Sequence, residues 1–61
     1  MSFIIVEVDG WLRSAIDEKG KPNKYGKPKF FKTRKDAEKW VEKRSYPGMS
    51  WRYEIVPSAL E

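Results

Sequence analysis

The chain has 61 residues, with thirteen Lys and Arg against nine Asp and Glu for a net charge of +4, and it has no Cys and no His. A chain this short makes one domain around one core and buries about 60% of the surface its unfolded form exposes, so its stability is marginal. With no thiol or imidazole to form a disulfide or a zinc site, folding rests on apolar packing, a ligand or self-association, and the 15% aromatic content becomes a structural necessity.

The opening MSFIIVEVDG has no basic leader, and Glu7 and Asp9 break its apolar run well short of the ~20 residues that span a bilayer. A cysteine-free composition suits a reducing compartment. The expectation is a soluble cytoplasmic protein with no membrane partner. Residues 60–61 fit a cloning remnant and are assigned no role.

In chain order, FIIVEV over residues 3–8 is rich in β-branched residues. As a strand it places Ile4, Val6 and Val8 on one face and Phe3, Ile5 and Glu7 on the other, and two apolar faces put it in the middle of a sheet. Asp9-Gly10 is a hairpin signal, after which WLRSAI pairs back with Leu12 and Ile16 on one face and Trp11, Arg13 and Ala15 on the other. Residues 17–28 hold three turn signals and no large apolar side chain except Tyr25, and are expected to form a mobile basic loop. Lys29 to Lys32 reads as a short strand with Phe30 and Phe31 on opposite faces.

Thr33 with Asp36 three residues on fits a capping box, imperfect because Asp is shorter than the usual Glu. The helix that follows, Arg34 to about Arg44, lines up Ala37, Trp40 and Val41 for packing on a sheet, and Tyr46-Pro47-Gly48 stops it. SWRYEIVP closes the chain as a strand with Trp51, Tyr53 and Ile55 facing one way and Arg52, Glu54 and Val56 the other, ended by Pro57 and paired with the first strand. The predicted fold is a single α+β domain: a small antiparallel sheet of three to four strands with one helix packed on one face.

The charge is unevenly spread. Residues 1–18 hold one Arg against four acids, giving −3, and residues 45–61 hold one Arg against two, giving −1. Residues 19–44 hold eleven Lys and Arg against three acids, giving +8. Such asymmetry points to a polyanionic partner, nucleic acid or an acidic protein, against the plainer alternative of a solvated lysine-rich surface. Lys35, Lys39 and Lys43 recur at steps of four and share one helix ridge, at a spacing of ~6 Å. The residues expected to contact phosphate are Lys21, Lys24, Lys27, Lys29, Lys32, Arg34, Lys35 and Lys39, with Tyr25 for stacking on a base, alone or with Phe30 or Phe31.

Catalysis has little to draw on. General-base and nucleophile roles fall to carboxylates, Lys, Tyr or Ser, and no nucleophile elbow, phosphate loop or metal-ligand spacing appears. Outside the helix the carboxylate pairs are Glu7 with Asp9 and Asp17 with Glu18, and acids near turns are usually solvated. The expectation is a non-enzymatic protein without cofactor or metal.

The stretch PKFFKTRKDAEKW, residues 28–40, resembles the end of the amino-terminal arm-binding domain of phage-type integrases. There a small three-stranded sheet is followed by a helix opening with an F-x-T-x-x-x-A pattern, matched here by Phe31, Thr33 and Ala37. The resemblance implies a sheet that enters the DNA major groove with residues near Arg13, Lys29 and Lys32, although this chain adds a strand over residues 51–56. A second likeness, of architecture alone, is to small phage proteins that inhibit the host RNA polymerase. It implies an accessory protein of a phage or mobile element whose basic surface, or sheet edge, docks on a host protein.

Overall fold

The computed structural model describes residues 2–23 and 25–58. It contains strands β1 (Ser2–Asp9) and β2 (Leu12–Ala15), helix α1 (Arg34–Arg44) and strand β3 (Arg52–Ser58), with the three strands in one antiparallel sheet of order β2-β1-β3. The expected small α+β architecture is therefore present, at three strands. The doubly apolar first strand is central, and the last strand pairs with it from Ser2↔Ser58 to Val8↔Arg52.

The hairpin closes with Asp9 opposite Leu12, so its two turn residues are Gly10 and Trp11 rather than Asp9 and Gly10. Gly10 has φ +64° and Trp11 is not in the left-handed region, a pattern that favours glycine at the first turn position and matches the twist of the flanking strands. Trp11 consequently projects from the tip, 93% exposed, instead of lying in β2.

Alternation along β1 decides what is buried. Ile5 is fully buried with Ile16, Phe31 and Ala37, and Phe3, Trp40, Val41, Tyr53 and Ile55 pack around them, so the core lies between α1 and the Phe3/Ile5 face of the sheet. Ala37 is fully buried where α1 approaches that face, as its small side chain permits. Thr33 caps α1: its hydroxyl accepts from the Asp36 amide at 3.1 Å, while no return bond from Asp36 is present among the described residues, as its short side chain predicts.

The opposite face has no helix. There Val8 sits between its cross-strand neighbours Arg13 and Arg52 and is buried, consistent with cover by their apolar stems. Glu54 accepts from both guanidinium groups, at 3.3 Å from Arg52.

Two expectations need correction. Lys29 to Lys32 does not form a strand. Phe31 makes an isolated bridge to Phe3, with reciprocal backbone bonds of 2.9 and 2.8 Å, but Ile16 already occupies the next position by donating its amide to the Ile5 carbonyl. Lys29 bonds to Ile16 instead, so only one residue of the segment reaches β1.

Pro57, expected to end the last strand, lies inside it. Phe3 directs both its backbone groups toward Phe31, so Phe3↔Pro57 is a pair without ladder bonds, and on this edge strand the missing proline N–H costs nothing.

Ile5→Ala is expected to lose about 2–5 kcal/mol, enough to unfold much of a domain of this size, whereas Trp11→Ser should change stability by no more than about 0.5 kcal/mol. Urea titrations followed by circular dichroism read both, and an equal loss at the two positions would contradict the burial pattern.

Candidate nucleic-acid interface

The basic loop leaves the sheet at Ile16 and returns at Phe31, and it is tied internally around one carboxylate. Asp17 Oδ1 accepts from the amides of Lys19 at 2.9 Å and Lys21 at 3.1 Å, and its Oδ2 accepts from Asn23 Nδ2 at 3.3 Å. Asn23 Oδ1 in turn accepts from the amides of Tyr25 and Gly26 at 3.0 and 2.9 Å. A side chain at Gly26 would meet Asn23 Nδ2 at 2.5 Å, so any other residue there displaces the Asn23 amide from this network. Backbone bonds from Asn23 to Ala15 and from Lys29 to Ile16 hold the two limbs to the end of β2.

These donors act on the carboxyl of Asp17. The Lys21 amide is the largest influence, followed by burial acting the other way and then by Asn23 and Lys19, and the net result holds Asp17 below its ordinary 3.8. The carboxylate therefore stays charged at neutral pH and remains an acceptor for all three donors.

The end of the loop meets the helix across an open cleft of about 440 Å³. Phe30, Phe31 and Lys32 line it from the loop, and Asp36, Lys39, Trp40 and Lys43 from α1. Three ammonium groups and one carboxylate thus surround an aromatic floor. Lys39 and Lys43 stand one turn apart on the ridge read from the sequence, about 6 Å along the axis. At the loop's other end Gly20 lies against the Arg44 guanidinium and the Trp40 ring, so both limbs of the loop flank α1.

The aromatic rings are used differently. Phe31 is 8% exposed and carries the Lys29 ammonium 5.6 Å from its centroid. Trp40 meets Tyr53 edge to face at 5.3 Å and carries the Arg44 guanidinium at 4.9 Å, and Arg34 lies 5.3 Å over Phe3. Phe30 is half-exposed and has no ring or cation partner among the described residues.

Among the residues expected to contact phosphate, Lys32 and Lys39 line the cleft. Lys21, Lys27, Arg34 and Lys35 are exposed outside it, Lys29 is half-buried on Phe31, and Lys24 lies outside the described residues. Tyr25 is 97% exposed on the loop and is not brought to Phe30. Lys43, Asp36 and Trp40 belong to the cleft but were not among the expected contacts. The step of four from Lys39 was the signal that pointed to Lys43.

Among the described residues no three side chains of the metal-binding types cluster, and no helix is long and apolar enough to cross a membrane. No family model, curated protein or solved structure matches the chain.

The Asp17 network sets a pH dependence. A carboxyl held below 3.8 in the fold contributes stability that is fully present above that value and is lost as pH falls through the lowered one. Protection factors of the Lys19 and Lys21 amides, exchange rates taken relative to the intrinsic rate at each pH, should fall as pH is lowered below 3.8. Asp17→Asn should show faster exchange at neutral pH and no such acid step. An unchanged exchange rate in the variant would mean that the loop is held by its backbone bonds alone.

Proposed function

We propose that the chain is a non-enzymatic nucleic-acid-binding module that contacts phosphates through its basic loop and helix. One observation carries this reading: the positive charge is left uncompensated. The ion pairs among the described residues are those of Arg13 and Arg52 with Glu54, on the sheet. Of the eleven Lys and Arg in residues 19–44, the ten that are described, all but Lys24, share none.

Like charges one helical turn apart destabilise a helix by roughly 0.2–0.5 kcal/mol per pair. A marginal domain that keeps Lys35, Lys39 and Lys43 on one ridge bears that cost, and a polyanion offsets it, because each phosphate neutralised releases condensed counterions. The sheet face that the integrase likeness would turn toward DNA carries Arg13 and Arg52 clamped by Glu54, which favours the loop and helix as the phosphate-binding surface.

A second reading, an accessory protein of a phage or mobile element that binds an acidic host protein, draws on the hairpin tip. Trp11 and Leu12 are both exposed there, and a protein interface gains most from such aromatic anchors.

Fluorescence anisotropy with short single- and double-stranded DNA and RNA at low and moderate salt tests the leading reading. Binding should weaken log-linearly with salt. A variant combining Lys32→Gln, Lys39→Gln and Lys43→Gln should bind more weakly, with a salt slope shallower by about 2–3, at ~0.7–0.9 per phosphate contact. The reading fails if no nucleic acid binds at low salt or if the triple variant binds as the parent does. Loss of pull-down of an acidic partner on Trp11→Ala would then support the second reading.

A further inference from the structure

We propose that the Phe30 cleft is a stacking site for an unpaired base, so that the protein selects single-stranded over double-stranded nucleic acid. This rests on the nucleic-acid reading above and adds the choice of strand. Phe30 and Phe31 are adjacent, and their burial divides them: Phe31 enters the core, whereas Phe30 remains half-exposed on the cleft. Of the three aromatic residues in the lining, Phe31 carries Lys29 and Trp40 carries Arg44, which leaves Phe30 as the ring without a partner among the described residues.

An apolar ring flanked by Lys32, Lys39 and Lys43 matches what a nucleotide offers, a flat π-face beside an anionic phosphate. At about 440 Å³ the cleft is near the lower end of small-molecule sites, suited to a base and its sugar. A duplex cannot use such a platform, because its base faces are covered by their stacked neighbours, whereas an unstacked base can be splayed onto it. A poly-glutamate chain satisfies the lysines equally well but has no flat face for Phe30 to receive. The single carboxylate, Asp36, leaves the rim net positive.

The test uses the full chain with Trp11→Phe and Trp51→Phe, which leaves Trp40, in the cleft wall, as the one tryptophan. Titration with a short single-stranded oligonucleotide should change Trp40 emission. That oligonucleotide should bind several-fold more tightly than a duplex carrying the same number of phosphates. Phe30→Ala should weaken single-strand binding by about 5- to 150-fold while leaving duplex binding and the salt slope unchanged. Phe30→Tyr keeps a ring and should retain the preference, which separates lost stacking from lost folding.

Equal affinity for single strand and duplex, with Phe30→Ala neutral and the lysine dependence intact, overturns the stacking site and leaves the phosphate-binding reading standing. Failure of every nucleic acid to bind at low salt overturns both. A poly-glutamate peptide that binds as tightly as the oligonucleotide and equally well to Phe30→Ala assigns the cleft to charge alone and also overturns the proposal.

Discussion

Both hydrogen-bonding edges of β1 are occupied, and the edge away from β3 is filled by two separate pieces of chain, β2 continued by Ile16 and the single residue Phe31. β2 takes residues Val6 to Asp9, Ile16 takes the Ile5 carbonyl, and Phe31 takes both backbone groups of Phe3. The basic loop therefore begins and ends on one strand, at positions two residues apart. That arrangement sets a fixed, short span for its closure, whose entropic cost grows only slowly with loop length. It also locates everything downstream: Phe31 is seated in the core, Thr33 follows to cap α1, and α1 lies across the Phe3/Ile5 face with Lys39 and Lys43 beside Lys32.

The manner in which the cations are held follows from this geometry. Lys29, Arg34 and Arg44 rest on the rings of Phe31, Phe3 and Trp40, all three rings belonging to or packing on the core. A cation over a ring gains roughly 0.5–1 kcal/mol at an exposed site without losing its charge. An acid in the same place would fix the side chain and cancel its field. Packing on aromatic faces thus orders part of the basic surface while keeping it positive. The loop acid Asp17 has its oxygens taken up by two backbone amides and Asn23 rather than by an ammonium group.

Much of this was legible in the sequence, where local pattern and tertiary demand agree. The two apolar faces of residues 3–8 required a central strand, Thr33 with Asp36 required a helix start, and Ala37, Trp40 and Val41 marked the buried stripe. The failures come from competition between distant segments. Nothing in KFFK says that Ile16 will occupy the Ile5 carbonyl and so restrict the segment to a single bridge. Pro57 read as a strand end because its tolerance depends on which way Phe3 directs its backbone groups, a matter of register. In the candidate site the concentration of charge was plain, but which lysines gather was not. Tyr25, the aromatic most prominent within the lysine run, stays on the loop, while Phe30 meets the helix lysines because Phe31 is anchored one residue away.

The two faces of the sheet also divide the electrostatics. On the open face Arg13, Glu54 and Arg52 form one group over Val8, and although an exposed ion pair contributes only about 0–1 kcal/mol, the shared carboxylate cancels one of the two positive charges there. The loop and helix have no such compensation among the described residues. Field strength at a surface depends on what is left unpaired rather than on how many charges are present, and low-dielectric walls concentrate it. A cleft with aromatic walls and three ammonium groups that share no ion pair among the described residues is therefore where the field of this surface is concentrated. The placement of the ion pairs on the sheet, as much as that of the lysines, leaves the cleft positive.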